Sequence, residues 1–353
     1  DNRLWVTAVT MDGNIVWRTD AGPYRSNEGY ASSPALHGSL VIVAADSKGA
    51  VLDRLGGAAF VAGLDCRSAA IVWRVKRPSL DSYGTPIVAQ VCGRAQLLLS
   101  GGQHIVSYDP ATGKELWKHA WPMDRSAGNP AFDQERVFVS ATIWNAEIVS
   151  LKGDPSLPAD QSRQVWNLQT GVADVPVPLV LADQLFVLND AGVLTCCSVA
   201  DGKIHWKKRF KGPFSASPVS AAGRIYAANE EGRTLVIDPQ TGDLLSENPL
   251  PEPVFATPAL AGQQIYIRTS EALYAIEQPA TDITLRTRPH ATDQQANCGI
   301  FMPLRFSRRR FLQGTAATLA AGATYWLTRD VVRIGLIGCG VRGQYLAMSV
   351  LQT

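Results

Sequence analysis

Two residue types recur along the chain at a shared interval, and this period constrains the fold more than any other feature of the sequence. One series consists of tryptophans about 40 to 56 residues apart, at Trp17, Trp73, Trp117, Trp166 and Trp206. A proline series keeps the same step, at Pro34, Pro86, Pro130, Pro178, Pro218 and Pro258. Two markers that advance together over tens of residues are typical of a repeat architecture.

Each repeat of about 40 residues contains four segments with strand character. In the repeat that begins at Pro218, apolar runs at 224–228 and 234–237 precede a turn at 238–242. Four short strands per repeat predict the blade of an all-β propeller. Five whole repeats lie between a leading hairpin and a trailing part at 258–277 that lacks the final tryptophan. We therefore expect six to eight four-stranded blades: six if the two ends join, seven to eight if sequence precedes Asp1, with seven preferred.

A turn containing aspartate and glycine closes the last hairpin of each repeat. In residues 109–113, proline presets φ, the aspartate side chain accepts backbone N–H groups, and glycine supplies the left-handed position. The predicted turn positions are Asp109, Gly113, Asp201, Gly202, Asp238 and Gly242. The strand after each turn carries a tryptophan, which we expect to dock one blade on the next, because a buried indole removes roughly 150 to 250 Å² from water. Ser246 replaces the tryptophan in the sixth repeat, so a weaker contact is expected there.

The motif at 106–117 places a hydrophobic residue, Asp109, Thr112, Gly113 and Trp117 at fixed spacing. It resembles the tryptophan-docking motif of the pyrroloquinoline-quinone (PQQ)-like β-propeller repeats, and the resemblance covers residues 1–277. That family contains quinoprotein dehydrogenases and also non-catalytic scaffolds of the BamB-like type. The resemblance therefore implies the fold and leaves the function open.

Candidate catalytic residues in the propeller have a structural explanation. Cys196 and Cys197 resemble the vicinal disulfide of quinoprotein dehydrogenases, but their strand pattern places one on each face of a sheet. The carboxylates of the repeats stand at turns, not in a cluster that could hold Ca²⁺. The five histidines are isolated, and the six cysteines show no zinc-type spacing. We predict no catalytic residue, metal or cofactor in the propeller, with PQQ and calcium as the weaker alternative.

The charge distribution argues against a nucleic-acid partner. The net charge is +2, but the basic excess lies after residue 277 and the repeats are mildly acidic. Because binding residues concentrate in loops, the best candidates for partner contact are segments 46–59 and 152–164. The charge runs 207–209 and 230–233 are typical of solvated turns and would also suit the rim of a binding face. We expect a protein or polysaccharide partner at the propeller faces and a monomeric chain.

The sequence after residue 277 changes in character. Residues 278–301 read as a polar linker, and residues 302–330 resemble a twin-arginine export signal with Arg308 and Arg309 as the pair. A small-residue site suited to signal peptidase follows at 321–323. The intervening stretch is too short and too weakly apolar for a stable membrane span. For the propeller itself we expect a periplasmic or otherwise exported protein.

Residues 331–353 carry a separate signature. A strand run leads into a G-x-G-x-x-G pattern of Gly338, Gly340 and Gly343, and a helix is predicted over 344–352. This order resembles the start of the Gfo/Idh/MocA sugar oxidoreductases, which implies NAD(P) binding only if the domain were complete. We interpret 331–353 as a truncated Rossmann βα unit, and 302–353 as the start of a neighbouring reading frame.

The sequence as a whole predicts a non-catalytic, extracytoplasmic β-propeller scaffold that binds its partner through loops. Two alternatives from other functional classes stay open. One is a PQQ-dependent quinoprotein dehydrogenase, which a calcium-dependent quinone absorbance would indicate. The other is the accessory propeller of an NAD(P)-dependent oxidoreductase, which a complete downstream Rossmann domain would indicate.

Overall fold

The computed structural model describes residues 3–10, 12–24, 30–46, 59–80, 82–121, 128–141, 146–277, 334–337 and 346–349. Within 3–277 the chain forms seven successive antiparallel sheets. The described residues contain no helix, and so none that is long and apolar enough to cross a membrane. Each sheet follows chain order, with every strand beside its sequence neighbour.

The strands are numbered in chain order, beginning with three sheets in the first third of the chain. The first sheet has two strands, β1 (Arg3–Val9) and β2 (Ile15–Pro23). The second has four, β3 (Ala35–His37), β4 (Leu40–Ala45), β5 (Phe60–Asp65) and β6 (Ile71–Lys76). The third has β7 (Ile87–Val91), β8 (Arg94–Gly101), β9 (His104–Tyr108) and β10 (Glu115–Ala120).

Three further four-stranded sheets and a three-stranded sheet follow. The fourth has β11 (Ala131–Phe132), β12 (Arg136–Ala141), β13 (Glu147–Lys152) and β14 (Gln164–Leu168). The fifth has β15 (Leu179–Leu181), β16 (Gln184–Leu188), β17 (Val193–Ser198) and β18 (Ile204–Arg209). The sixth has β19 (Val219–Ala221), β20 (Arg224–Ala228), β21 (Arg233–Ile237) and β22 (Leu244–Pro249). The seventh has β23 (Ala259–Ala261), β24 (Gln264–Arg268) and β25 (Leu273–Glu277).

The sheets are arranged as the blades of a β-propeller. The first strands of neighbouring sheets approach one another, as β3 does with β7 and β15 with β19. The second strands are buried on both faces, and every residue of β4 is buried. The fourth strands are the most exposed, and β22 is exposed along most of its length. The first strands therefore lie toward the axis and the fourth strands form the outer rim, as the repeat predicts.

The hydrophobic clusters lie between consecutive sheets. Val6 of the first sheet packs with Val43 of the second. In the third sheet, Leu97 and Leu99 pack toward the second sheet, whereas Leu98 packs toward the fourth. Neighbouring residues of one strand thus belong to opposite interfaces. This is why the central strands read as unbroken apolar runs and not as alternating patterns.

Three of the predicted tryptophans pack directly on the predicted turn glycine of the next sheet. A Cβ added to Gly113 would lie 2.5 Å from the Trp73 ring. The same construction on Gly202 gives 2.9 Å to the Trp166 ring, and on Gly242 it gives 2.7 Å to Trp206. The three glycines share φ values of 72° to 74°. A side chain at these positions is thus opposed both by the backbone conformation and by the neighbouring indole.

The remaining two tryptophans are held by other contacts. The Trp17 indole N–H donates to the Cys66 carbonyl at 2.9 Å, in the corresponding turn of the second sheet. Trp117 donates to Oε1 of the buried Gln96 at 2.8 Å within its own sheet. The Arg163 guanidinium lies 4.9 Å from the Trp117 ring centroid, because the fourth sheet has the long segment 152–164 in place of a glycine turn.

A β-bulge orients each tryptophan, and this feature was not predicted. In the third sheet Tyr108 pairs with Glu115 and Ser107 pairs with Trp117, so the residue between them is extra. The same shift occurs just before the tryptophan, or before Ser246, in the first sheet and in the other four-stranded sheets. Bulges bend a strand and re-aim its side chains. Most of the extra residues are accordingly exposed, with Val72 at 56%, whereas Leu116 is half-buried.

The residue opposite each tryptophan is small. These cross-strand partners are Ala8, Gly63, Ser107, Ser150 and Cys196. In the sixth sheet, where Ser246 replaces the tryptophan, the partner is the larger Val236. The valine fills only part of the volume that an indole would occupy, so the packing at this position is reduced.

The two ends of the propeller remain separate sheets among the described residues. The first sheet has two strands and the seventh has three, and neither pairs with the other. The structure thus describes seven blades, of which the first and last are incomplete, and it does not join the ends into a sixth. At the sixth sheet, the rim residues Leu244 and Leu245 are 46% and 48% exposed. The buried cluster shared with the seventh sheet is small, comprising Ala216, Ala228, Val254 and Ile267.

The C-terminal region differs from the predicted βα unit. Strands β26 (Ile334–Ile337) and β27 (Leu346–Ser349) pair in antiparallel fashion. The helix predicted over 344–352 is therefore wrong at 346–349. A short apolar run does not distinguish a helix from a strand, and an antiparallel partner gives the first strand the backbone hydrogen bonds that a parallel sheet would otherwise supply. The linker 278–301, the segment 302–330 and the three glycines of the pattern lie outside the described residues.

The equivalent of the turn glycine in the second sheet is Ala69, and this exception gives a matched pair of substitutions. Ala69 has a φ of 62°, where a side chain is unfavourable. Ala69→Gly is expected to leave the stability unchanged or raise it by up to about 1 kcal/mol. Gly113→Ala is expected to lower it by at least about 2 kcal/mol, because the new Cβ meets Trp73. Urea unfolding of both variants measures the two changes, and equal effects would contradict the docking interpretation.

Candidate functional site

One face of the propeller carries both the turns between second and third strands and the linkers between sheets; we call it the linker face. Backbone hydrogen bonds join the turns to the linkers. The Glu230 N–H donates to the Pro213 carbonyl at 2.9 Å, and the Ser270 N–H donates to the Pro253 carbonyl at 2.9 Å. Turns and linkers from the fifth to the seventh sheet therefore form a continuous surface with a fixed backbone.

A series of hydrogen bonds, which we call the ladder, runs along the inner margin of this face. Each bond joins the residue before the recurring proline of one repeat to the equivalent residue of the next repeat. The Ser33 N–H donates to Thr85 Oγ1 at 3.0 Å, and the Thr85 N–H donates to Asn129 Oδ1 at 2.6 Å. Farther on, the Ser217 N–H donates to Thr257 Oγ1 at 3.0 Å. Each step connects one sheet to the next through a backbone donor and a side-chain acceptor.

The ladder has one interruption, at Val177. The Val177 N–H donates to Ser217 Oγ at 2.9 Å, but a valine side chain offers no acceptor to Asn129. The role of the residue before each proline was not predicted from the sequence. The signal was present, because five of the six residues in that position carry a side-chain oxygen.

Apolar side chains lie exposed two residues before the ladder positions. Val175 is 39% exposed and Phe255 is 40% exposed. Pro176, the residue after Val175, is buried. Ala216, at the same place in the linker between the fifth and sixth sheets, is also buried. The linkers therefore alternate, with one side chain held between the sheets and the next presented on the linker face.

A buried ion pair fixes the linker face between the second and third sheets. The Arg77 Nε donates to Asp46 Oδ1 at 2.6 Å, and a second guanidinium nitrogen donates to Asp46 Oδ2 at 2.9 Å. The guanidinium also donates to Tyr108 Oη at 3.0 Å and to the Gly101 carbonyl at 3.1 Å. Arg77 and Asp46 are 3% and 5% exposed, and Asp46 raises the pKa of the guanidinium in spite of its burial. Arg77 thus donates four side-chain hydrogen bonds, two to Asp46 at the end of a strand of the second sheet and two to residues of the third sheet.

The Arg77 position is apolar in other repeats. Its N–H donates to the Ala59 carbonyl, and the same backbone bond is made by Trp121, Phe210 and Leu250 in the third, fifth and sixth sheets. The second repeat therefore has a cationic side chain at a position where the third, fifth and sixth repeats have an apolar one. This cation is compensated by Asp46, which begins the predicted loop 46–59, and Arg77 also holds Ala59 at its end. Residues 47–58 of that loop lie outside the described residues.

The second predicted loop, 152–164, lies at the end of the fourth sheet opposite the linker face. The Gly153 N–H donates to the Glu135 carbonyl at 2.8 Å, and Gln96 Nε2 donates to the Gly153 carbonyl at 2.8 Å. Arg163 donates to the carbonyls of Lys152 and Asp154 at 3.1 and 2.8 Å. The segment is therefore folded back on its own sheet and on the third sheet.

The vicinal cysteines face opposite interfaces, as the strand pattern predicts. Cys196 packs toward the sixth sheet and Cys197 toward the fourth, and both are free thiols. Burial raises the pKa of Cys196 to about 11 and that of Cys197 to about 12. Cys196 is also the small partner opposite Trp206. Thiols on opposite faces of a strand do not fit a vicinal disulfide over a quinone, so no chemistry is assigned to them.

The predicted turn carboxylates accept backbone hydrogen bonds. Asp109 Oδ1 accepts the Thr112 N–H at 3.0 Å, and Asp238 Oδ1 accepts the Gln240 N–H at 2.7 Å. Burial opposes ionisation of Asp109, but the Arg94 ion pair and the turn hydrogen bonds hold its pKa below the usual value. In the fifth sheet Ser198 takes the position of Asp109, because the Gly202 N–H donates to the Ser198 carbonyl. Asp201 instead accepts the Lys203 N–H at 3.1 Å.

The structure gives no metal-type cluster of three or more His, Cys, Asp or Glu side chains within the described ranges. The predicted export pair Arg308 and Arg309 and the predicted dinucleotide turn Gly338, Gly340 and Gly343 lie outside those ranges. The linker face is therefore the candidate site that the described residues form.

The buried ion pair predicts strongly non-additive stability effects. Arg77→Leu alone, which introduces the residue type of Leu250, leaves the Asp46 carboxylate buried without its cation and is expected to cost about 3 to 5 kcal/mol. Asp46→Asn together with Arg77→Leu removes both charges and is expected to restore most of that loss. Denaturant unfolding of the single and double variants measures the coupling. Equal losses in the Arg77→Leu variant and the double variant would contradict it.

The ladder predicts opposite effects at two of its positions. Val177→Thr supplies an acceptor for the Asn129 N–H and is expected to raise the free energy of unfolding by about 0.5 to 1.5 kcal/mol. Thr257→Val removes the acceptor of the Ser217 N–H and is expected to lower it by a similar amount. The two substitutions exchange the same two side chains, so each serves as the control for the other in thermal unfolding. A change of the same sign in both would refute the ladder.

Comparisons with known proteins agree with the repeat architecture. The family model described as outer membrane protein assembly factor BamB matches residues 3–208 and 209–281. The outer membrane protein assembly factor BamB of Shewanella oneidensis is 21% identical over 322 residues, covering 87% of this chain and 77% of that protein. The crystal structure of BamB from Moraxella catarrhalis aligns with a TM-score of 0.45 and 15% identity over 75% of this chain and 85% of that chain. Because the matched family ranges contain all seven sheets of the propeller, the chain belongs to the BamB family of PQQ-like β-propeller proteins.

Proposed function

We propose that this protein is a non-catalytic, exported scaffold that contributes to the assembly of outer membrane proteins by holding a protein partner on its linker face. The observation that carries the proposal is the family match, which extends over the whole described propeller. The curated relative from Shewanella oneidensis bears the name of an outer membrane protein assembly factor. A role beside the outer membrane requires export of the protein.

The linker face has the properties that a protein-binding surface requires. Its backbone is held by turn-to-linker hydrogen bonds and by the ladder, so little conformational entropy is lost when a partner binds. Val175 and Phe255 present apolar side chains at the inner margin of the face. Charged groups such as Glu231 and Lys211 lie nearby on exposed turns and linkers. Apolar contacts surrounded by polar groups are typical of protein interfaces.

A deletion strain tests this function. Loss of the gene in the native host is expected to lower the amount of folded, heat-modifiable β-barrel protein in the outer membrane, and the full chain is expected to restore it. The Val175→Asp/Phe255→Asp double variant is expected to restore it poorly, because burying each apolar side chain against a partner is worth roughly 1.5 to 3 kcal/mol. Quantitative immunoblotting of unheated and heated outer membranes gives the readout.

The outer rim supplies the matched control. Leu244 and Leu245 are at least as exposed as Val175 and Phe255 but lie on the fourth strand of the sixth sheet. The Leu244→Asp/Leu245→Asp variant is expected to complement as well as the unaltered chain. Normal barrel levels in the deletion strain would reject the proposed function, whereas failure of both double variants would reject the linker face as the binding surface.

A further inference from the structure

A cavity of about 590 Å³ opens on the linker face between the fifth and sixth sheets. It is bounded by the turn at 190–191 and by the linker at 209–213, and two of its lining side chains, Arg209 and Lys211, are cationic. We propose that this cavity binds a carboxylate of an acidic polypeptide segment. The inference rests on the proposed function only in that the segment belongs to the scaffold's protein partner.

The cations of the cavity differ from the basic residues beside them. Lys207 donates to the Thr170 hydroxyl at 2.7 Å, and Lys208 forms an ion pair with Asp243 at 3.0 Å. Within the described residues, Arg209 and Lys211 form no ion pair with a carboxylate. The charge of Lys208 is thus paired, whereas Lys207 keeps its charge but is hydrogen-bonded to Thr170 and does not line the cavity. Arg209 and Lys211 are the residues of this stretch that both line the cavity and carry a charge without an ion-pair partner among the described residues.

The acidic residue in the cavity wall forms no ion pair with either cation. Asp190 Oδ2 accepts the Asp174 N–H at 2.9 Å, and Asp190 Oδ1 accepts the Val175 N–H at 3.3 Å. Both carboxylate oxygens are thus hydrogen-bonded to the linker that precedes the fifth sheet, and the Arg209 and Lys211 side chains are not held by Asp190.

The cationic side of the cavity is preorganised. One guanidinium nitrogen of Arg209 donates to the Ala191 carbonyl at 3.2 Å, which leaves the other nitrogens to bind a carboxylate. The fully buried Asn229 donates to the Lys211 carbonyl at 3.0 Å and fixes the backbone that carries the lysine. Gly212 allows this approach, because a Cβ there would lie 2.5 Å from Asn229 Nδ2. Both cations are therefore presented from a fixed backbone.

The two cations are absent from the corresponding linker of the next repeat. The linker between the sixth and seventh sheets runs through Pro249, Leu250 and Glu252, with no cation. Glu252 accepts the Tyr274 hydroxyl at 2.8 Å. The cationic cavity thus differs from the matching surface of the neighbouring repeat, and surface differences between repeats are candidates for specific recognition.

The lining favours a polypeptide over an acidic polysaccharide. Phe210 and Pro213 contribute apolar surface beside the two cations, which suits the aliphatic part of an acidic peptide side chain and its neighbours. A polyuronate carries a carboxylate on every sugar and would be bound best by a row of free cations. Such a row is not formed, because Lys208 is paired with Asp243, and Lys207 is hydrogen-bonded to Thr170 and is not part of the cavity lining.

Fluorescence anisotropy with the full chain tests the site. The probe is a short fluorescein-labelled peptide in which glutamate alternates with leucine and serine, and the control peptide has glutamine in place of each glutamate. Arg209→Gln/Lys211→Gln is expected to weaken binding of the acidic peptide by at least about tenfold. Lys207→Gln/Lys208→Gln removes the same net charge next to the cavity and is expected to change binding by less than about twofold.

The possible outcomes separate this site from the proposed function. Equal weakening by both double variants, equal binding of the two peptides, or no binding of the acidic peptide would overturn the site. More effective displacement by oligogalacturonate than by unlabelled peptide would assign the cavity to a polysaccharide instead. Normal peptide binding with unchanged outer membrane proteins in the deletion strain would reject only the proposed function.

Discussion

The contact between a tryptophan of one sheet and the turn of the next is the interaction on which the rest of the structure depends. A four-stranded sheet that is apolar on both faces must be covered on both faces, and in the described residues neighbouring sheets provide this cover. The bulge before each tryptophan and the small residue opposite it place the indole between two sheets. Where Ser246 interrupts this arrangement, Val236 replaces only part of the missing volume, and the shared core with the seventh sheet is small.

The repeat made most of the fold predictable, and what it left out has physical causes. Trp73 and Gly113 were identified because the same residue types recur at the same spacing, and the structure places them in contact. The bulge and the ladder residues before the prolines were missed, because a bulge leaves no residue type of its own and the ladder accepts serine, threonine or asparagine alike. The helix predicted at 344–352 relied on a local pattern without tertiary context, and local patterns are weakest for short apolar runs.

The candidate site was less predictable than the fold, because its parts are exceptions to the repeat. Arg77 and Asp46 are 31 residues apart; Arg77 differs in polarity from its counterpart Leu250, and Asp46 differs in charge from the similarly shaped Asn229 that follows the second strand of the sixth sheet. A buried charge at a position that is Trp121 or Leu250 in other repeats would by itself lower the stability of the fold, because the charge loses its hydration. Its presence therefore requires a nearby residue of opposite charge. Sequence alone could flag the exceptional arginine, whereas only the fold identifies the aspartate that accompanies it.

This division suggests how a repeat protein accommodates function. The indoles, turn glycines and ladder donors lie at positions that every repeat must satisfy, so those positions have little freedom to vary. Side chains on the linker face are anchored by backbone hydrogen bonds that any residue can form, as at Phe210 and Leu250, so their chemistry can change without loss of the ring. The cations Arg209 and Lys211 occupy such permissive positions, and their charge is not consumed by packing. Residues of the linker face that differ from the repeat pattern are therefore expected to provide specific binding. Residues that follow the pattern are expected to provide the stability of the fold.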